Sequence, residues 1–379
     1  MKTKYDYLIV GSGLFGATCA HELKKAGFSV VVIEKRNHIG GNIYTKNVKG
    51  INVHLYGPHI FHTDNLDIWK YVNRFAKFNN FINSPLANYH GEIYHLPFNM
   101  NTFCELWSDV KTSDDAKKHI DEEKKKFNIS EPKNLEEQAI SLVGETIFKK
   151  LIKEYTEKQW GKDCKELPQS IIKRIPVRFE FNNNYFTDKY QGIPEGGYTQ
   201  IIEKMLFGSD ILLETDFLSN KEKYLVMAKH IIYTGMVDEF FDYKYGQLEY
   251  RSLRFETDEL SIPSFQGNAV VNYTSHEKPF TRVIEHKFFE FGKQPFTIIS
   301  REFPDRFEKG KIPYYTINDE KNQALLRKYQ EDAKKLKNIS FGGRLGSYHY
   351  YDMDDVIAEA LKLTKELIDG RRDYRKESC

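Results

Sequence analysis

The hydrophobic pattern of the chain begins with two short apolar runs, residues 7–10 and 28–33, on either side of an amphipathic segment. The apolar residues of that segment recur at helical spacing, and Gly27 ends it. A strand-like run, a helical segment and a second β-branched run are typical of a βαβ unit. The pattern therefore predicts that the chain opens with two parallel strands joined by a helix.

The rest of the chain changes its pattern twice. Asp64 is predicted to cap a helix that runs to Phe78, and the periodicity is again helical from about residue 102 to residue 175. From residue 248 to residue 303 strand-like runs follow one another, which favours an antiparallel sheet. A glycine-rich turn and a helix that begins near Met353 close the pattern.

The opening unit carries the sequence G-x-G-x-x-G, formed by Gly11, Gly13 and Gly16. In such a turn the first glycine permits the tight bend, the second lets a pyrophosphate approach the backbone, and the third lets the helix pack on the strand. Glu34 ends the second strand, about 20 residues beyond the glycines, where a carboxylate accepts hydrogen bonds from a ribose. This context predicts a dinucleotide-binding fold.

A second glycine pair, Gly40-Gly41, follows Glu34 and indicates which dinucleotide is bound. It resembles the extended fingerprint of FAD-binding proteins of the glutathione-reductase-like class, in which backbone approaches the cofactor a second time. The alternative is that Gly40-Gly41 forms a plain surface turn. Because the glycine pair follows the ribose acid, we expect FAD as the cofactor.

These patterns together predict an α/β protein with a discontinuous Rossmann-like FAD-binding domain, a helical insert domain and an antiparallel β-sheet domain. The expected boundaries are 1–77, 191–243 and 312–379 for the FAD-binding domain, 99–175 for the helical insert with a mobile substrate loop, and 78–98, 176–190 and 244–311 for the sheet.

Composition narrows the class of protein. The 56 basic and 54 acidic residues give a net charge of +2, so there is no general footprint for nucleic acid or for a membrane surface. Four scattered cysteines predict reduced thiols rather than a disulfide framework or a metal site. We find no signal-peptide pattern and no apolar segment long enough to span a bilayer, and we expect a cytoplasmic protein without membrane insertion.

Candidate chemistry lies outside the glycine-rich turn. Tyr155 and Trp160 lie at a helix end beside a polar loop and are suited to stacking on a planar base, although core packing is the alternative. Arg174 and Arg282 could clamp a diphosphate, although surface ion pairs are the alternative. His59, in a loop rich in Gly and His, is a candidate for lining the site. No catalytic triad or metal-ligand pattern is visible, which favours chemistry carried by the flavin.

An ordered set of motifs along the chain resembles the UDP-galactopyranose mutase family of bacterial type. The motifs are VGSGLFGA, YGPHIFHT, LPFN, YTEKQWG, TRVIEHK, REFP, IPYYT and GGRLGSYHYYDMD. The resemblance implies an isomerase that interconverts UDP-galactopyranose and UDP-galactofuranose and supplies galactofuranose for cell-surface glycans. It implies a reduced FAD whose N5 forms a covalent adduct with the sugar. It also implies a homodimer and a flavin reductant that the sequence does not identify.

The resemblance also implies roles for individual residues. Arg174, Arg282 and His59 would be catalytic. Contacts to the cofactor would come from Gly11, Gly13, Phe15, Gly16, Glu34, Lys35, Gly41, Asn42, His59, Arg344, Asp352 and Met353. Contacts to UDP-galactose would come from Tyr155, Trp160, Arg174, Tyr185, Asn268, Arg282, Glu302, Tyr315, Tyr350 and Asp352.

A flavin-dependent oxidoreductase of the amine-oxidase or glutathione-reductase-like class is the alternative. It would share the FAD fingerprint and would show net turnover of the flavin by a hydride donor. It accounts for the first 42 residues but leaves the arginines and the motifs YTEKQWG and GGRLGSYHYYDMD without a purpose.

Overall fold

The computed structural model describes residues 4–172 and 176–377 of the 379-residue chain. The fold divides into two compact units. The first comprises Met1–Asn80, Asp188–Ser252 and Phe307–Cys379, and the second comprises Phe81–Thr187 and Leu253–Arg306. The regions predicted as helical insert and antiparallel sheet fall largely within the second unit, and the division into three domains stays a prediction.

A parallel sheet of five strands forms the centre of the first unit. In spatial order its strands are Ile339–Phe341, Ala228–Tyr233, Tyr5–Val10, Val30–Ile33 and Asp210–Leu212, and every neighbouring pair is parallel. Leu8, Val31 and Ile231 are fully buried, as expected for strands covered on both faces. The predicted βαβ opening and the α/β class are confirmed.

Helices cover this sheet and position its glycine-rich edge. The helix Leu14–Lys25 follows the first strand and packs against Met353–Glu377 and Thr199–Leu206. The other helices of the unit are Leu66–Val72, Lys221–Leu225, Val237–Phe240, Glu320–Ala333 and Gly343–Gly346. Its remaining strands pair as Thr45–Val48 with Ile51–His54, Phe61–Thr63 with Tyr190–Gly192, and Pro313–Thr316 with the start of Tyr250–Leu260.

The helix predicted to run from Asp64 to Phe78 is shorter than expected, and its cap is a different residue. It spans Leu66–Val72, and the Asn65 side chain accepts hydrogen bonds from the backbone of Asp67 at 2.9 Å and of Ile68 at 3.3 Å. Asp64 instead accepts from the backbone N–H of Lys189 at 2.8 Å. The choice of Asp64 was wrong because Asn and Asp cap equally well, and tertiary contacts decided between neighbours.

The second unit contains an antiparallel sheet and a group of helices. The sheet follows the order of Tyr250–Leu260, Thr297–Arg306, Arg282–Glu285, Val270–Tyr273, Leu86–Tyr89 and Glu92–His95, of which the first strand begins in the first unit. The strands Val270–Tyr273 and Leu86–Tyr89 run parallel to each other. The strand Arg282–Glu285 is antiparallel to both of its neighbours, and Leu86–Tyr89 is antiparallel to Glu92–His95. The strand predicted over residues 283–288 ends at Glu285 and continues as a 3₁₀ turn, His286–Glu290.

The helices of the second unit surround one buried apolar cluster. They are Met100–Leu106, Ser113–Phe127, Leu135–Val143, Glu145–Ile147 and Glu154–Trp160, with a π-helical turn at Phe148–Lys153 and 3₁₀ turns at Cys164–Glu166 and Gln169–Ile172. Glycine in the left-handed region at Gly161 ends the helix that carries Trp160. None of the helices in the described part of the chain has the length and apolar character needed to cross a bilayer.

Candidate functional site

The turn after the first strand of the first unit needs glycine at two positions. Gly11 has a φ of +102°, and a Cβ there would lie 2.2 Å from Thr234 Oγ1, which itself donates to the Val10 carbonyl at 2.6 Å. A Cβ on Gly16 would lie 2.1 Å from the Gly11 carbonyl oxygen. The first helix therefore approaches the strand so closely that no side chain fits between them.

The second glycine pair closes on the first turn. Gly40 donates its backbone N–H to the Ser12 carbonyl at 3.1 Å. Gly41 has a φ of +55°, and a Cβ there would lie 2.9 Å from the Gly13 Cα. Both turns line one cavity, so backbone approaches that cavity from two sides, as expected for the cradle of a dinucleotide.

Glu34 is buried at the edge of the same cavity. One carboxylate oxygen accepts from the Ser12 backbone at 2.9 Å and the Ser12 hydroxyl at 2.8 Å, and the other accepts from the Arg36 backbone at 3.0 Å. Two carboxylate oxygens offer about four acceptor sites, so these bonds orient the group and leave capacity for a further hydroxyl donor.

The predicted cofactor residues largely come together around this cavity. Its lining includes Gly11, Gly13, Phe15, Gly16, Glu34, Lys35, Gly41, Asn42, His59, Arg344 and Met353. The His59 ring contacts the Gly57 carbonyl at 2.8 Å through Nδ1. Because a carbonyl oxygen only accepts, Nδ1 carries the proton in this arrangement.

A third glycine turn, Gly342-Gly343, contributes Gly343 to the lining of the cavity. A Cβ on Gly342 would lie 2.2 Å from the Phe15 ring, so this turn also requires glycine. Arg344 follows; its Nε donates to the Tyr351 carbonyl at 2.7 Å and its guanidinium lies 4.4 Å from the centre of the Tyr350 ring. The Tyr350 ring stacks on Tyr315 with centroids 5.9 Å apart. The arginine is thus held by a carbonyl and an aromatic face.

Asp352 lies just before the helix that begins at Met353. Burial raises the pKa of its carboxyl, the charges of His62 and Arg344 oppose that rise, and Asp354 and Asp355 reinforce it. Asp352 is therefore a carboxylate whose charge depends on neighbouring cations.

Three parts of the cavity wall were absent from the expected site. Arg36 donates to the Asn42 side chain at 2.9 Å and stacks 4.4 Å above the Tyr56 ring. Residues 215–218 and Glu239 also line the cavity, and burial raises the pKa of Glu239 while Lys35 opposes the rise. The sequence carries a signal that Arg36 lines the cavity, since it is a basic residue two positions beyond the ribose acid. It carries no such signal for residues 215–218.

In the second unit, Arg282 and Glu302 lie opposite each other on neighbouring antiparallel strands. The Arg282 Nε donates to Glu302 Oε1 at 2.9 Å, and the Glu302 side chain is 1% exposed whereas that of Arg282 is 22% exposed. Such a pair fixes the direction of the guanidinium, because the carboxylate below it cannot move into solvent.

Tyr155 is carried by the helix Glu154–Trp160, which packs against the strand that carries Glu302. Burial raises the pKa of the Tyr155 phenol, the charge of Arg282 lowers it, and Glu302 and Tyr185 raise it further, so the four side chains share one electrostatic environment. Trp160 packs against the apolar cluster of the helices. Tyr185 is exposed.

Asn268, another expected substrate residue of the second unit, has its side-chain amide bound elsewhere. The Asn268 side chain donates to the carbonyls of Ser84 at 2.8 Å and Val270 at 3.3 Å, which engages it in the backbone of the sheet. Arg174 lies outside the described residues, and its role stays a prediction.

The remaining polar residues of TRVIEHK are buried anchors. Glu285 accepts from the backbone of Phe265 and of Gln266, each at 2.9 Å. His286 contacts the Ser300 hydroxyl at 2.7 Å through Nε2. The Lys287 ammonium donates to three carbonyl groups, those of Pro263 at 2.7 Å, Gln294 at 2.6 Å and Phe296 at 3.3 Å. These three side chains therefore hold the segments beside Glu285, at the end of the strand that lies away from Arg282.

His286 predicts acid sensitivity of the fold. Burial lowers its pKa from 6.5 to about 3. Between these two pKa values His286 is protonated in the unfolded chain but neutral in the folded chain. The free energy of unfolding therefore falls as the pH falls from about 6.5 towards 3, by about 1.4 kcal/mol per pH unit. Urea unfolding at pH 6, 5 and 4 should show this slope reduced in His286→Gln and unchanged in His90→Gln, which replaces an exposed histidine. Equal slopes in all three proteins would refute the assignment.

Within the described residues, no group of three or more His, Cys, Asp or Glu side chains is arranged to hold a metal ion. The glycine cradle, the oriented acid and the arginines around the cavity instead fit a dinucleotide with a diphosphate.

Comparisons with known proteins identify the family of this chain. The family model described as UDP-galactopyranose mutase matches residues 150–350, more than half of the chain. A model of an NAD(P)-binding Rossmann-like domain matches residues 9–75. Together the two matches include the glycine cradle and the Arg282–Glu302 pair.

Relatives match over almost the whole length. A Klebsiella pneumoniae protein described as a probable UDP-galactopyranose mutase is 41% identical over 369 residues, which are 96% of this chain and 94% of that one. A dTDP-fucopyranose mutase of Escherichia coli is 38% identical over 374 residues, 97% of this chain and 99% of that one. A crystal structure of reduced UDP-galactopyranose mutase has the same fold, with a TM-score of 0.74 at 14% identity, over 97% of this chain and 96% of that one.

Proposed function

Because this chain belongs to the UDP-galactopyranose mutase family, we propose that it interconverts UDP-galactopyranose and UDP-galactofuranose. Family membership makes the chain an isomerase and a flavoprotein. The finer statements are part of the proposal: the flavin is FAD, it acts in its reduced form, catalysis is covalent, and the product supplies cell-surface glycans. A cytoplasmic location, a homodimer and a separate flavin reductant are proposed with them.

The observation that carries the proposal is the fixed Arg282. Its guanidinium is held by the buried Glu302 beside Tyr155. A nucleoside diphosphate combines a planar base with adjacent negative charges, and a positioned arginine near an aromatic side chain suits both. An enzyme that oxidises amines has no use for such a cation, since its substrate carries no phosphate.

The residues of the first unit would hold the cofactor. The backbone at Gly13 and Gly41 would admit the diphosphate, Glu34 would accept from a ribose hydroxyl, and Arg344 would contact the polar middle of the cofactor. The bound, reduced flavin would supply the nucleophile that no side chain in the site provides. His59, with its proton held on Nδ1, would line the flavin side of the cavity.

The remaining residues would act on the substrate. Tyr155 and Trp160 would contact the uridine, and Arg282 would neutralise the diphosphate, including the charge that grows on UDP as it leaves. Arg174 would add a second cation from the polar loop, and closure of that loop would exclude water. Tyr185, Tyr315 and Tyr350 would contact phosphate oxygens, with Asp352 as a further polar contact. Glu302 would act by holding Arg282, and Asn268 by fixing the backbone of the sheet.

A second candidate substrate is dTDP-fucopyranose, since the Escherichia coli relative with that activity covers nearly the whole chain. The same ring contraction would serve both sugars. They differ by the hydroxyl at the sixth carbon, which fucose lacks, and by the nucleotide. The proposed contacts to a diphosphate do not separate them, so both substrates belong in one assay.

The test is a paired assay of the flavin-loaded protein. UDP-galactofuranose and dTDP-fucofuranose are each incubated with and without dithionite, and the nucleotide sugars are separated by chromatography. We expect UDP-galactopyranose to form far faster with the reductant. Conversion of the fucose nucleotide alone would move the proposal to that substrate. No conversion of either, with flavin bound, would overturn the mutase proposal and lead to a screen for hydride donors.

A further inference from the structure

The loop of residues 274–281 in the second unit closes around a single ammonium group. It joins the strand Val270–Tyr273 to the strand that begins with Arg282. From the helix Glu154–Trp160, the Lys158 Nζ donates to four backbone carbonyls of this loop and its flank: Tyr273 at 2.6 Å, Ser275 at 2.8 Å, Lys278 at 3.1 Å and Phe280 at 2.9 Å.

Four carbonyl dipoles point at one cation here. An ammonium has three N–H donors and no acceptor, so the group is fully used and one of its donors is shared. Without the cation the negative ends of these dipoles would face one another, and partly buried carbonyls would lose their partner. Lys158 therefore sets the curvature of the loop as well as its attachment.

Further contacts fasten the same loop along the helical segment. The backbone N–H of His276 donates to Glu154 at 2.5 Å, and its ring contacts Glu157 at 2.9 Å. The Thr274 hydroxyl donates to the Lys150 carbonyl at 2.7 Å. The loop is thus attached to this helical segment at several points, and the contact in its centre is Lys158.

Both elements that Lys158 joins carry residues of the proposed substrate site. Tyr155 and Trp160 lie on its own helix, and Arg282 begins the strand that leaves the loop. We propose that Lys158 is a positioning residue, whose ammonium holds the loop so that Arg282 stays aligned with Tyr155 for a nucleoside diphosphate. This inference rests on the proposed function, because it assumes that Arg282 binds the diphosphate.

A matched control lies in the same unit, in the 3₁₀ turn His286–Glu290. Lys287 also donates to several backbone carbonyls. It follows Glu285, the last residue of the strand, whereas Arg282 is the first. Lys158→Met and Lys287→Met therefore each remove an ammonium group that several backbone carbonyls share. Only the first change should disturb Arg282.

The experiment measures the Kd of UDP for the oxidised, flavin-loaded protein by calorimetry. We expect Lys158→Met to weaken binding about tenfold and Lys287→Met to change it by less than about twofold. In an Arg282→Ala background Lys158→Met should weaken binding by less than about twofold, because a residue that acts through Arg282 has nothing left to position. A purely structural role would not produce this loss of additivity.

Several outcomes would overturn the inference. One is parental affinity for UDP in Lys158→Met, and another is an equal loss with and without Arg282. If Lys158→Met does not fold, Lys158→Arg and Lys158→Gln replace it, and the charged variant must bind UDP more tightly than the neutral one. If the parent protein itself does not bind UDP, the proposed function fails first and the inference fails with it.

Discussion

Arg282→Ala is expected to lose nearly all turnover while the flavin stays bound. The leaving diphosphate gains negative charge in the transition state, and a fixed donor directed at that charge typically contributes a factor of about 10² to 10³ in rate. The cofactor cavity is lined by residues of the first unit, whereas Arg282 belongs to the second. When both are measured on the same sample, turnover should therefore fall while flavin absorbance stays at the parental value.

The buried partner of Arg282 complicates the single substitution. Glu302 is 1% exposed, and a buried carboxylate that loses its arginine costs up to about 3 to 5 kcal/mol of stability. The double variant Arg282→Ala with Glu302→Gln removes both charges, so it should regain thermal stability without regaining turnover. Arg301→Ala is the matched control, since Arg301 lies on the same sheet and pairs with Asp258. Turnover near the parental rate in the double variant would contradict the role given to Arg282.

The opening of the chain was predictable because each of its features has a local cause. Apolar runs, helical spacing and glycines at Gly11 and Gly16 act within about 30 residues, and the structure shows the close approaches that exclude side chains at both positions. The same holds for the helical periodicity predicted from about residue 102 onwards, within which the helix Ser113–Phe127 lies.

The site was less predictable because it depends on contacts across long stretches of chain. Arg282 and Glu302 were both expected in the site, but nothing in the sequence paired them, since strand register follows from the whole sheet. The four acceptors of Lys158 are backbone carbonyls, which every residue possesses, so the sequence carries no sign of them. From the sequence alone, Lys158 inside YTEKQWG is interpreted as a surface charge. Only the structure shows that the loop of residues 274–281 lies beside it.

The wall formed by residues 215–218 illustrates the same limit. It follows the strand Asp210–Leu212, which pairs with Val30–Ile33 at the edge of the parallel sheet. Backbone bonds from Glu214 to Arg36 and from Thr215 to Glu34 then carry the segment to the cavity. Its place depends on which strand joins that edge, and the apolar pattern did not specify this neighbour.

Gly13→Ala is expected to give a folded protein that has lost its flavin. Gly13 has a φ of −69°, which any residue adopts, and the nearest atom to a Cβ there is the Gly41 Cα at 3.8 Å, an ordinary contact. The protein alone therefore accepts alanine with little change in stability, because the lower entropy of the unfolded chain, worth about 0.4 to 1 kcal/mol, is offset by the poorer N-cap. The added methyl would occupy the space through which a diphosphate reaches the backbone, so flavin content should fall below about a tenth of the parental value.

Two other glycines make the comparison decisive. Gly11→Ala would place a Cβ 2.2 Å from Thr234 Oγ1 at a φ of +102°, so it should lower both the thermal stability and the flavin content. Gly27→Ala has a φ of +87° but nothing within 4 Å, so it should lower stability and keep the flavin. Stability and flavin content are thus expected to change independently across the three variants. Thermal unfolding measures the stability, and visible absorbance per mole of protein measures the flavin content. Full flavin content in Gly13→Ala would mean that the diphosphate does not approach this turn, and the glycine cradle would then serve only the packing of helix on strand.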